Sequence, residues 1–374
     1  MTGPIPMAFY APLKAPDHPV PSGDRTVARN LLRGLSAAGF APEVFSRLRS
    51  HDPAGDGDRQ HAIQVEAEAE ARAIVARCRA APEHARPRLW FTYHVYYKAP
   101  DWIGPAVARA MALPYVVAEG SRAGKRAASP WRLGHAGAEA ALDQAALVFV
   151  LNEADRDGLA RARPPGQRLV ALPPFVTTLP AEPVARTAAA GPARLLAVAM
   201  MREGDKLASY RLLADALGHL EPASWTLDIV GDGPAKPEVE RLFAAFGARV
   251  ALCGAMSGAA LDAAYASHDL LLWPAVNEAF GMVLLEAQAA GCPVVAGHFG
   301  GVAGVVRDGI TGRLTPPGDA PAFAAATAAL IAAPAQRRAM GVAARRFVVQ
   351  ERSLQATAGI LRESLLGLLG GSPS

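Results

Sequence analysis

The 374-residue chain is 51% hydrophobic and 19% charged, a globular composition with room for two α/β cores. Its formal net charge of +4, an excess lying in residues 1–185, is too small to argue for nucleic acid, and no basic run is interleaved with aromatics. Neither a charged, apolar leader nor an apolar run of about 18 residues occurs, so the expectation is a cytoplasmic protein with at most peripheral membrane contact.

Short apolar runs alternate with amphipathic stretches, the pattern of parallel βαβ units. In the first half, strands are predicted at 7–11, 43–46, 88–93, 115–119, 146–151 and 168–172. A helix is predicted over 24–38, with Asp24 as N-cap and Gly39 as the stop beyond its C-terminus. Residues 175–193 hold three prolines and no hydrophobic period, and read as a linker. Strands then resume at 194–200, 225–231, 248–253, 269–273, 293–296 and 312–315, and from about 334 the chain reads as helix. The domains expected are 1–175, a linker at 176–193, a second domain at 194–350 and a C-terminal helix at 351–374. Cys78, Cys253 and Cys292 lack metal-ligand spacing and read as small buried hydrophobes in a reducing compartment.

The segment 271–292 carries the most chemistry. A buried strand ends at Pro274, a short loop holds Asn277 and Glu278, and apolar periodicity then runs to Gly291. A helix therefore starts near Gly281 and leaves the amides of Phe280, Gly281 and Met282 free to bind an anion such as a diphosphate. Glu286 lies about one turn further in, so two carboxylates flank that helix end. They can accept hydrogen bonds from a ribose and a sugar, provided that cations offset their charge.

Glu278-Ala-Phe-Gly-Met-Val-Leu-Leu-Glu286 closely resembles the E-x7-E donor motif of retaining glycosyltransferase family 4, the glycosyl transferases group 1. Gly300-Gly301, Asp308-Gly309-Ile-Thr-Gly312 and Pro317-Gly318-Asp319 match that family's pattern in order and spacing. The resemblance implies a GT-B fold: α/β, with two Rossmann-like domains facing a cleft. It also implies a hexosyl-type retaining transferase that takes a nucleoside diphosphate sugar and an unidentified acceptor, whether sugar, lipid-linked or small molecule. No cofactor and no metal are implied, because Arg202 and Lys206, after the strand at 194–200, match the family's diphosphate-holding cations.

Further residues follow from the same resemblance. Gly231 and Gly233, in Gly-Asp-Gly-Pro, match a turn near the nucleotide; Lys236 replaces the third glycine of a dinucleotide fingerprint and disfavours a dehydrogenase. Gly23 and Asp24 match a loop approaching the donor phosphates, with Asp24 where a second glycine is usual. Glu119 stands where many relatives carry a histidine near the reacting sugar, and is expected to hold a donor hydroxyl or help take the acceptor proton. His94, among aromatics, reads as a core residue. The basic residues Arg122, Lys125, Arg126 and Arg132 read as a solvated loop. A GT-B sugar-nucleotide epimerase and a non-catalytic nucleotide-sugar-binding protein are the alternatives.

Overall fold

A computed structural model describes residues 3–20, 22–180, 191–221 and 225–370. Pro21 of the predicted glycine-containing loop and residues 181–190 of the predicted linker lie outside the described residues. The chain divides into two compact units, one built from residues up to Pro173 together with those from Leu354 onward, the other from Pro174–Ser353.

The first unit holds β1 (Ile5–Tyr10), α1 (Gly23–Ala37), β2 (Phe40–Val44), α2 (Gly57–Ala80), β3 (Trp90–Val95), α3 (Gly104–Met111), β4 (Tyr115–Gly120), α4 (Arg132–Gln144), β5 (Leu147–Val150), α5 (Glu153–Arg161) and β6 (Arg168–Ala171). Its strands form one parallel sheet in the order β2-β1-β3-β4-β5-β6. The largest displacement from the sequence reading is β2, expected after Pro42 and found around it. As an edge strand, β2 tolerates a residue without an amide hydrogen.

The cap of α1 also differs from expectation. Ser22, not Asp24, is the N-cap, its hydroxyl accepting from the Arg25 amide. Asp24 lies in the first turn, two residues beyond the cap, and its carboxylate is used elsewhere. Gly39 does take the left-handed conformation that ends the helix, at φ 93°.

The second unit runs β7 (Ala193–Val198), α6 (Asp205–Gly218), β8 (Trp225–Val230), α7 (Lys236–Phe243), β9 (Val250–Gly254), α8 (Ala259–Ser267), β10 (Leu270–Trp273), α9 (Met282–Ala289), β11 (Val294–Gly297), β12 (Gly312–Thr315), α10 (Ala320–Ala332) and α11 (Pro334–Glu351). Its parallel sheet has the order β12-β11-β10-β7-β8-β9. The inner strands β7, β10 and β11 are near-continuous apolar runs buried on both faces, as parallel sheets require, whereas the edge strands β9 and β12 are partly exposed.

The predicted linker begins inside this unit. The Val176 amide donates to Arg352 O at 2.9 Å, and Arg345 Nη2 donates to Pro180 O at 3.1 Å. The last helix, α12 (Leu354–Gly370), packs on α1 of the first unit, where Arg362 Nη1 donates to Ala38 O at 3.2 Å. Cys78 and Cys292 are buried as expected, but Cys253, on the edge strand β9, is exposed.

Both sheets reverse their direction of winding once. In the first unit the reversal falls between β1 and β3, in the second between β7 and β10. Loops leaving the carboxyl ends of strands on either side of such a point diverge and leave a crevice, the usual ligand position in open α/β sheets.

Candidate functional site

In the second unit the reversal brings together the loop after β7 and the loop after β10. Lys206, in the first turn of α6, forms an ion pair with Glu278 Oε2, and Trp273 Nε1 reaches the same oxygen at 3.4 Å. Lys206 Nζ also lies 5.5 Å from the Trp273 ring centroid. The first turn of α6 fixes the loop further: Ser209 Oγ accepts from the Val276 amide at 3.0 Å, and Asn277 Nδ2 donates to Asp205 Oδ1 at 3.0 Å.

This loop is conformationally unusual. Ala275 (φ 58°) and Asn277 (φ 49°) occupy the left-handed region. Each non-glycine residue there costs on the order of 1 kcal/mol, which the surrounding contacts must offset. The result turns Glu278 toward Lys206 and starts α9 at Met282, with Gly281 as its N-cap. No backbone hydrogen bond is made by the amides of Phe280, Gly281 and Met282 among the described residues. They remain donors at a helix N-terminus.

Glu286 is not an exposed helix residue. Tyr265 Oη, itself buried, donates to its Oε2 at 2.9 Å. Burial raises the Glu286 pKa and that hydrogen bond opposes the rise. Arg202 is half-buried in the loop after β7 that leads into α6 and Lys206.

Gly231 and Gly233 have a structural reason to be glycine. The Met201 amide donates to Asp232 O at 2.9 Å and the Ala235 amide to Met201 O at 2.9 Å, so the loops after β7 and β8 lie backbone against backbone. A Cβ at Gly233 (φ 149°) would overlap Met201 O, and one at Gly231 would overlap Ala199 O. These glycines thereby place Arg202.

In the first unit the reversal joins α1 to the end of β3, and the cluster formed there was not legible from the sequence. His94 Nδ1 lies 3.2 Å from Asp24 Oδ1, and His94 Nε2 lies 3.8 Å from Glu119 Oε1. His94 and Glu119 face one another on adjacent strands, between the register pairs Tyr93–Ala118 and Val95–Gly120. Both are left-handed, at φ 66° and 62°. Two strained residues side by side at strand ends mark a place where geometry is held against local preference.

The electrostatics are coupled. Burial pushes His94 down, but the Glu119 and Asp24 carboxylates outweigh it and raise the imidazole to about 8. Burial also works against ionised Asp24, yet the His94 hydrogen bond and charge hold its carboxyl below the usual range. Burial pushes Glu119 up and His94 opposes this. The Tyr93 hydroxyl faces the same carboxyl, but neither Tyr93 Oη nor Glu119 Oε2 completes a hydrogen bond in the structure. A buried carboxylate oxygen without a donor is costly, and a ligand hydroxyl would satisfy it. Gly23, beside this cluster, would meet nothing within 4 Å if it carried a Cβ, so that side of the loop is open.

Arg122 separates from the other basic residues, since it is engaged by Glu139 and, at 2.7 Å, by Asp143. The place of His94 in this cluster is not read from the sequence, because its sequence neighbours are aromatic. The signal available was topological: in a Rossmann-like order the loops after the first and third strands meet.

Residues 192–333, which lie in the second unit, match the family Glycosyl transferases group 1. The sulfoquinovosyl transferase SQD2 of Arabidopsis thaliana is 38% identical over 114 residues, which make up 30% of this chain and 22% of that protein. The match thus spans less than a quarter of that relative's length. Likeness of fold extends over nearly the whole chain. A sucrose-phosphate synthase from Thermosynechococcus elongatus superposes with a TM-score of 0.73 at 21% identity, covering 98% of this chain and 100% of that one. Anabaena HepE, crystallised with UDP, does so with a TM-score of 0.71 at 16% identity, covering 97% and 100%. At such identities the likeness establishes the fold, which is GT-B.

Proposed function

We propose that the chain transfers a sugar from a nucleoside diphosphate sugar to an acceptor hydroxyl, with retention at the anomeric carbon. The observation that carries this reading is the meeting of Lys206 with Glu278 beside the open amides of 280–282, within the residues that match the group 1 family. The UDP bound by a protein of the same fold supports a nucleoside diphosphate as the ligand class.

In this reading Arg202, Lys206 and the amides of Phe280, Gly281 and Met282 stabilise the departing diphosphate, an electrostatic role. The bond from the anomeric carbon to phosphate oxygen breaks while the bond to the acceptor oxygen forms on the same face. The acceptor proton passes to the departing phosphate oxygen. Glu278 and Glu286 accept hydrogen bonds from sugar and ribose hydroxyls. Gly231 and Gly233 bring Arg202 into place, and Gly23 keeps its loop open to the ligand.

Glu119 and His94 take the acceptor side. Asp24, expected near the donor phosphates, belongs in this reading with His94, because an acid held in its charged form would repel phosphate. Two cations already supply charge to the leaving group, so the reaction needs no metal and a chelator leaves turnover unchanged. A thermal-shift screen against nucleoside diphosphate sugars tests the proposal. Stabilisation by one nucleotide class, followed by release of that nucleoside diphosphate, is expected. Absence of any response would overturn it.

A further inference from the structure

An aromatic row leads from His94 to a group of cations. Tyr96 stacks on His94 with ring centroids 4.9 Å apart, Tyr97 meets Tyr96 edge-on at 5.6 Å, and Trp131 meets Tyr97 edge-on at 5.6 Å. Lys98 Nζ lies 5.8 Å from the Tyr97 centroid and 5.1 Å from that of Trp131; the Arg126 guanidinium lies 5.1 Å and 5.3 Å from the same two. Neither Lys98 nor Arg126 has a carboxylate partner among the described residues.

Arg49 joins them through His51. Arg49 Nη2 lies 3.1 Å from His51 Nδ1, and burial together with the charges of Arg49, Lys98 and Arg59 pushes that imidazole below its ordinary pKa. The acid of the neighbourhood, Asp52, is occupied by the Gln60 side chain at 2.8 Å and by the amides of Ala54 and Asp56. Lys98 and Arg126 are thus half-exposed and Arg49 exposed, without a carboxylate partner among the described residues, and the aromatic faces limit the freedom they would lose on binding an anion.

The geometry points to an anion site in the first unit, formed by Lys98 and Arg126 over Tyr97 and Trp131 with Arg49 beside them, that holds a phosphoryl group of the acceptor. The acceptor hydroxyl is received at the other end of the row by Asp24, His94 and Glu119. Naming the ligand an acceptor rests on the transferase reading; the anion site itself does not. Acids at one end and bases at the other fix the orientation of a molecule that carries both a hydroxyl and a phosphoryl group. That group can belong to a phosphorylated polyol or to a lipid headgroup.

The test uses the full chain labelled with 5-fluorotryptophan, the Trp131 fluorine resonance being assigned by its loss in Trp131→Phe. Glycerol 3-phosphate is expected to move that resonance, and glycerol is not. The double variant Lys98→Gln/Arg126→Gln should raise the half-saturating concentration by at least about tenfold, whereas Lys125→Gln leaves it unchanged. Co-sedimentation with phosphatidylglycerol and phosphatidylcholine vesicles separates the sources. A response to soluble phosphate assigns a free acceptor, and binding only to phosphatidylglycerol, lost in the double variant, assigns a lipid headgroup. If neither probe distinguishes the double variant from the wild type, the site is overturned. UDP, GDP and ADP are titrated into the same protein. A Trp131 response with no nucleotide binding would leave the anion site standing and remove its assignment to a transferase acceptor.

Discussion

Lys206 and Glu278, 72 residues apart in the chain, form an ion pair that ties the first turn of α6 to the loop ahead of α9. The pair orients the lysine beside the free amides of 280–282, where a diphosphate would sit. Lys206→Ala should lower kcat/KM by about 10²–10³, the scale of losing a preorganised charge at a leaving group. The melting temperature should change little, since the pair is partly exposed. Steady-state assay with the donor found in the screen measures the first effect, and a thermal melt the second.

Glu286 presents its Oε2 to Tyr265 Oη at 2.9 Å. Glu286→Ala should weaken nucleoside diphosphate affinity by about tenfold, the weight of a charge-assisted hydrogen bond. Tyr265→Phe should have a smaller effect, because it disturbs the orientation of the carboxylate without removing it. Calorimetry on the two variants ranks them, and equal affinity for Glu286→Ala and wild type would refute the ribose role.

Gly233 permits the contact between the loops after β7 and β8. Gly233→Ala forces a Cβ against Met201 O at a φ of 149°, and should cost about 2–3 kcal/mol in a urea unfolding titration. Gly23→Ala, with open space around its Cβ, should cost a small fraction of that.

His94 should titrate near 8 in an NMR pH series, above its ordinary value of about 6.5. Because the folded-state pKa is raised, the associated stability is fully present below about 6.5 and is lost as pH rises through 8. It amounts to about 2 kcal/mol. Asp24→Asn or Glu119→Gln removes one of the two charges and should bring the titration down. An unmoved midpoint in both would mean that the carboxylates do not act on the imidazole.

Periodicity located the twelve strands among the described residues, most clearly the inner ones, which are buried on both faces and read as apolar runs; the edge strands β2, β6, β9 and β12 are partly exposed. The helix start at Gly281 was legible because strand, short loop and glycine occur in sequence order. Three features were not. Ser22 rather than Asp24 caps α1, a choice between adjacent polar residues that turns on backbone angles. His94 meets Asp24 only once β3 lies beside β1, a pairing across 70 residues. The left-handed conformations of Ala275 and Glu119 are imposed by tertiary contacts against residue preference, and those of Asn277 and His94, residue types that enter this region more readily, are fixed by contacts distant in sequence.

The most direct test of the donor site is calorimetric titration of the full chain with UDP, GDP and ADP, repeated on Arg202→Ala and Lys206→Ala. One of the three should bind at one equivalent per chain, and each substitution should weaken it by about 10- to 100-fold. Binding of equal strength in wild type and both variants, or no binding of any of the three, would contradict a diphosphate held by these two cations.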